Sequence, residues 1–351
     1  MKRYRLEIFA RSDLSFVTFA ESSEPDIYID SLVSSQSKIS CPGLVTCSRG
    51  DFAQIRIDGH VYFQGIVSDW NYDGKATKFT LQQMSALLDT EAFADVSLLS
   101  NQSIEQWFST VLGSVFNGTD ASEKLPGFTV TYTTSTTGSY EESSDGAYNL
   151  YDMSVSFFKV YGLILDISFD YSSKAVAFAF STVGGTVTKL DLSVSDVLEY
   201  EIEPSLKRDS PNKMVIRDKD DPTSELTYYW HPSDFSGTID TDGTYNRVVP
   251  VITQCATVSV GEEETFSDVA YAKAEDVLYQ TRYDDLIQVT IRANSKLLNN
   301  FEIGKQYTLY DHGDEYNTLL TGIHTASMNS IELTFGYIRK RLTEILKMKG
   351  V

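Results

Sequence analysis

Only 3 cysteines and 4 histidines occur among 351 residues. Cys41, Cys47 and Cys255 are odd in number and match no metal-ligand spacing, so free thiols are expected rather than a disulfide frame or a zinc site. His60, His231, His312 and His324 are scattered, and no HExxH helix is present. No glycine-rich loop ends in Lys-Ser/Thr, no GxGxxG follows a strand and no GxSxG occurs, which removes the common phosphate cradles and the nucleophile elbow. Spacing alone supports no Cys-His pair. No catalytic, cofactor-binding or metal-ligating residue is therefore assigned, and a non-enzymatic role is expected. Positive charge is also scarce: 29 Lys and Arg stand against 49 Asp and Glu, for a net charge of −20. A surface of that sign repels phosphate backbones, yet would suit a wall past which DNA slides without sticking. The basic residues collect at the two ends, at Lys2, Arg3 and Arg5 and again at Arg339, Lys340, Arg341, Lys347 and Lys349, where they could form a rim for an acidic neighbour. No apolar run has the length of a membrane helix. Glu7, Arg11 and Ser12 interrupt the stretch after the basic start, so a strand is read there instead of a signal peptide, and synthesis in a cytoplasm is expected.

What the chain does have is β-forming material. It is 42% hydrophobic and 12% aromatic, with 21 Tyr and 19 Phe, ample for packed cores. Length alone suggests about two to three domains. Short alternating runs fill the first 95 residues: Tyr4-Leu6-Ile8, Phe16 to Phe19, Ile27 to Ile29, Leu44 to Cys47, Phe52 to Ile57, Val61 to Val67 and Lys78 to Leu81. Asp58-Gly59 and Asp73-Gly74 read as hairpin turns.

Helical signals begin near residue 101. Ser103 with Gln106 forms a capping box ahead of an apolar stripe at Ile104, Trp107, Phe108, Val111, Leu112 and Val115, with Asn117-Gly118 as its stop. A second helix should run from about Asn149 to Gly162, followed by a hairpin of Leu163 to Phe169 and Ala175 to Phe180. A third is expected over 267–281. Two acidic clusters, Asp218 to Glu225 and Asp240-Thr-Asp242-Gly243, lack the full calcium-loop spacing and are read as solvated turns.

Two stretches near opposite ends follow one pattern. Gly304 − Gly50, Gly313 − Gly59, Tyr316 − Tyr62, Thr334 − Thr80 and Leu342 − Leu88 all equal 254. Gly322 − Gly65 equals 257, so a longer first turn is expected to be offset by a shorter second one. The fold class expected is β-rich α+β, with two related small β-barrel modules and an inserted α+β domain. The boundaries are 1–95 for the first module (completed by strands of 196–217), 96–195 for the insertion, and 218–351 for the second module.

The motif GDxxxIxxDGxxxFxGxV, here Gly50-Asp51, Ile55, Asp58-Gly59, Phe63, Gly65 and Val67, opens this layout, and Ile331 to Leu342 closes it. Together they resemble the baseplate hub family of phage tails and related contractile injection systems, including the hub part of tail-associated lysins. The resemblance implies a homotrimer whose two modules alternate around an axis. Such a ring would join a sixfold tail tube or distal tail ring to a threefold spike, tip or tape-measure protein and let DNA pass without specific binding. It implies a place in the virion tail. Longer family members carry a lytic or receptor-binding extension, whereas this sequence stops at Val351. By position, interface roles are expected for Asp58, Gly59, Phe63, Trp70, Trp230, Gly313, Asp314 and Tyr316. The competing readings are a carbohydrate-binding tail-tip protein, through exposed aromatics such as Trp70 or Trp230, and a cell-wall-degrading tail lysin.

Overall fold

The computed structural model describes residues 4–22, 24–140, 143, 145–203, 211–233, 236–243, 251–261, 265–283, 285–326 and 329–337. They form two compact units: residues 1–184 with 290–304 and 322–333, and residues 185–289 with 305–321 and 334–351. The basic residues at 2, 3 and 339–349 lie outside the described residues.

In the first unit, β1 (Tyr4–Phe9), β2 (Phe16–Ser22), β3 (Glu24–Asp30), β4 (Gln36–Pro42), β5 (Phe52–Ile57), β6 (His60–Tyr72) and β7 (Ala76–Gln83) pair in the order β3-β4-β7-β6-β5-β1-β2. Their period-2 alternation turns Leu6, Ile8, Ile55, Phe63, Phe79 and Leu81 into one core. Each such large apolar side chain contributes about 2 kcal/mol over its exposed state. The expected strand at Leu44–Cys47 is absent; the Val45 N–H instead donates to Thr77 Oγ1 at 2.9 Å. The strand forms earlier, at β4, where Ile39 and Cys41 point inward between polar residues. No sheet closes into a barrel among the described residues. The end of β2 lies against β4, where Ser22 Oγ donates to Ser40 O at 2.6 Å.

Within the same unit an α+β segment follows: β8 (Glu91–Phe93), α1 (Ile104–Phe116), β9 (Thr129–Tyr132), β10 (Ala147–Asn149), α2 (Leu150–Tyr161), β11 (Leu163–Asp170) and β12 (Ala175–Thr182). Ser103 Oγ caps α1 by accepting from Gln106 N, and Asn149 Oδ1 caps α2 by accepting from Tyr151 N and Asp152 N. Such caps contribute about 1 kcal/mol each. Gly162 ends α2 at φ 66, a left-handed conformation that glycine adopts without steric cost. Trp107, Phe108, Phe157 and Phe178 fill the core beneath both helices. The fully buried Glu105 accepts from Thr134 Oγ1, Thr136 N and Thr136 Oγ1, which fixes that loop against α1. Burial pushes its carboxyl up, but these bonds more than offset that and leave it below the usual range.

The second unit takes in β13 (Thr188–Asp191), β14 (Val197–Glu203), β15 (Lys213–Asp218), β16 (Glu225–Ser233), β17 (Ser236–Asp240), β18 (Thr253–Val258) and α3 (Phe266–Leu278). The chain goes on through β19 (Leu286–Arg292), β20 (Gln306–Asp311), β21 (Asp314–Thr325) and β22 (Ser330–Phe335), of which parts of β19, β21 and β22 count with the first unit. A four-stranded sheet, β17-β16-β15-β18, packs Met214, Ile216, Tyr228 and Trp230 against Ala270, Ala274 and Leu278 of α3. Strand β17 pairs with β16 because Gly237 lets the chain pass the Trp230 ring; a Cβ there would lie 1.9 Å from it. The remaining strands pair in the order β14-β19-β22-β21, with β20 on β21 and β13 parallel to β20.

Candidate interaction surface

The two hairpin sets superpose in sequence register. The starts of β20, β21 and β22 minus those of β5, β6 and β7 (306 − 52, 314 − 60 and 330 − 76) all give 254. The order β19-β22-β21-β20 repeats β4-β7-β6-β5. Both first turns are two residues long with both φ positive: 51 and 84 at Asp58-Gly59, 49 and 101 at His312-Gly313. That is the hairpin turn whose twist matches its strands. The expected difference in turn length is therefore not there. The extra residue is a bulge at Tyr62, since Ile55 faces Phe63 while Arg56 faces Val61, and the second hairpin has no such shift. The position of Gly65, opposite Ala53, is thus filled by Thr318, opposite Tyr307, and not by Gly322. The bulge turns the Tyr62 hydroxyl toward Thr325 Oγ1, with which it hydrogen-bonds.

A cross-strand polar pair occupies the same place in each hairpin: Gln54 with Gln64 at 3.0 Å, and Thr308 with Asn317 at 2.8 Å. In the first, Gln64 also grips an extended strand. Its Nε2 donates to Phe169 O at 2.7 Å, and its Oε1 accepts from Phe169 N at 3.1 Å. The Phe169 ring packs on Phe9 and Phe52 at 5.6 and 5.3 Å. Glu7 completes the row, accepting from Gln54 Nε2 and Arg56 Nε at 3.0 Å each. Sequence reasoning gave Gln54, Gln64 and Glu7 no part in this row, since the Glu7–Gln54 and Gln64–Phe169 contacts span 47 and 105 residues.

The eight residues expected at interfaces separate into two groups. Asp58, Gly59, Gly313 and Asp314 are exposed at the hairpin tips, and Tyr316 is half-buried beside them. Phe63 and Trp230 are core residues, 3% and 6% exposed, and Trp70 is half-buried with its Nε1 donating to Cys47 O at 3.0 Å. Tip chemistry differs between the copies. The first is tied by Arg56 Nη1 donating to Gly59 O at 2.8 Å. The second is tied through Asp311, which accepts from the Tyr200 hydroxyl at 2.6 Å and meets His312 Nδ1 at 2.6 Å. Those two contacts hold the Asp311 carboxyl below the usual range, and the same bond raises the Tyr200 phenol. Burial, then Asp314, Asp311 and Asp285, raises Tyr316.

The acidic clusters serve as turn caps. Asp218 accepts from Asp220 N, Asp221 from Thr223 N and Ser224 Oγ, and Asp240 from Asp242 N. Among the described residues no group of three or more His, Cys, Asp or Glu is arranged to hold a metal ion.

No protein-family model and no curated protein matches the chain. Solved structures do. The 43 kDa tail protein of prophage MuSo2 from Shewanella oneidensis is 13% identical, with a TM-score of 0.57 over 95% of this chain and 97% of that one. A tail protein from Neisseria meningitidis MC58 is 12% identical, with a TM-score of 0.56 over 95% and 96%. The prophage tail protein gp18 from Listeria monocytogenes EGD-e is 11% identical, with a TM-score of 0.56 over 99% and 98%. At such low identity the likeness is one of fold. Along nearly its whole length, this chain has the β-rich α+β fold of phage tail proteins.

Proposed function

We propose that the chain is a structural component of a phage tail tip or baseplate: a hub in which three copies form a ring with six near-equivalent hairpin faces. The observation that carries this reading is the repeat of strand order, strand starts and turn conformation at an offset of 254 residues. A duplicated module in a threefold ring meets a sixfold tube or distal tail ring on one side and a threefold spike, tip or tape-measure protein on the other. On this reading residues 1–95 and 218–351 carry the ring modules and 96–195 is the insertion; the strands of 196–217 do not complete the first module, since β14 pairs with β19 and β15 with β16 and β18. The tips at Asp58-Gly59 and Gly313-Asp314 contact the tube. The net charge of −20 suits a lumen that conducts DNA without retaining it. The protein would be made in the host cytoplasm and reside in the virion tail, acting without catalysis. Of the two aromatics named for the sugar-platform alternative, Trp230 is buried and Trp70 is half-buried.

Mass photometry of the purified protein tests the proposal. A species at three times 39.3 kDa is expected, and a monomer that persists at all concentrations would count against the ring.

A further inference from the structure

Two edge strands, one in each unit, have complementary exposed chemistry. Among the described residues, strand β2 has a single ladder neighbour, β1, and strand β14 has a single one, β19. Soluble proteins usually blunt such edges with Lys, Pro or short strands. Strand β2 does the opposite over Phe16-Val-Thr-Phe19, where Phe16, Val17 and Phe19 are 55%, 41% and 52% exposed and no charge intervenes. The Phe16 ring lies 5.9 Å from Phe9, and the Arg5 guanidinium stands 4.5 Å from the Phe19 ring. Exposed aromatics beside an arginine are the composition of binding hot spots. Strand β14 is seven residues long, enough to run beside the open Phe16–Phe19 part of β2. It exposes Leu198 at 47%, flanked by the exposed acids Glu199 and Glu201.

We infer that β2 of one copy pairs edge to edge with β14 of the next. The acids of β14 oppose its pairing with another β14; beside β2, which has one exposed acid at Glu21, they come near Arg5, which bonds Glu7 at 2.9 Å yet stays 49% exposed, and Leu198 meets the phenylalanines. A contact between two different edges of the same chain is head-to-tail, the kind that closes into rings. This inference rests on the ring reading and names the joint within it.

Site-directed cross-linking tests it in the full-length protein. Cys255 is exposed and is replaced by Ser; Cys41 and Cys47 stay silent at neutral pH because burial pushes both thiols up to about 12. In that background Val17→Cys with Leu198→Cys, treated with a short bismaleimide, should give covalent dimers and trimers on a denaturing gel, and neither single variant should. Cross-linking by Val17→Cys alone would show β2 meeting β2 and would overturn the inference. A double variant that stays uncross-linked while mass photometry finds trimers would place the joint elsewhere and leave the ring standing. A monomeric wild type would remove both. As a second check, Phe19→Asp should abolish the trimer while leaving the far-ultraviolet circular dichroism unchanged. Trimers that persist in this variant would contradict the inference.

Discussion

The hairpin sets β5–β6–β7 and β20–β21–β22 share strand starts, order and turn conformation, yet they are held by different chemistry. The first carries a bulge, a glycine at the crowded centre of β6 and a glutamine that grips β11. The second has no bulge in its first hairpin, a threonine in the glycine's place and an asparagine in the glutamine's. Strand order and turn conformation are shared, while the mostly buried side chains that hold each hairpin differ.

The largest difference should appear at the crowded centre. A Cβ at Gly65 would lie 2.1 Å from Gln82 O and 2.7 Å from the Phe63 ring. Gly65→Thr, which copies the second hairpin into the first, should therefore cost more than about 4 kcal/mol. The reverse change, Thr318→Gly, should cost about 1–2 kcal/mol for lost packing and backbone freedom. Urea denaturation of both variants measures this, and equal effects would mean the two positions are not counterparts.

The polar pair gives the next contrast. Gln64→Ala leaves the Phe169 N–H and C=O without their partner and should cost about 2 kcal/mol, whereas Asn317→Ala removes a single bond and should cost about 0.5 kcal/mol. Hydrogen exchange should also show faster opening of the Phe169 amide in Gln64→Ala alone. The tips themselves should behave alike. Gly59→Ala and Gly313→Ala each force a side chain into a left-handed conformation and should each cost about 1 kcal/mol, agreeing within a few tenths.

The smallest effect is one of pH. Asp311 has its carboxyl held low in the folded state, whereas the counterpart Ile57 has nothing to titrate. A depressed carboxyl adds stability above its unfolded pKa and loses it as pH falls through the folded value. The advantage of wild type over Asp311→Asn in urea should therefore be present at about pH 6 and shrink as the pH falls below about 4. An advantage that grows on acidification would contradict the assignment.

Local signals were the legible part of this fold. The Ser103 and Asn149 caps, the Gly162 stop and the Asp58-Gly59 turn act within a few residues, so their letters alone specify α1, α2 and the first hairpin. The third helix was legible to within one residue of its start, Phe266, although its last three expected positions, 279–281, form a tighter turn. Strand β4 escaped notice because its inward Ile39 and Cys41 are separated by serines and lysine that resemble a loop. The bulge escaped for a different reason. One unpaired residue shifts register without any letter of its own, so Gly322 was matched to Gly65 on identity when pairing matches Thr318. Burial was the weakest inference at the interface: Phe63 and Trp230 prove to be core residues, because alternation shows which side chains share a face but not what covers that face. The Gln64 grip on Phe169 spans 105 residues and had no local trace.

The central claim is that the two hairpin sets take equivalent places around one axis. End-on cryo-electron-microscopy averages of the purified oligomer address it directly. The account predicts six similar lobes around a central opening, alternating in detail so that only threefold symmetry is exact. Three lobes, or six identical ones from six chains, would contradict it.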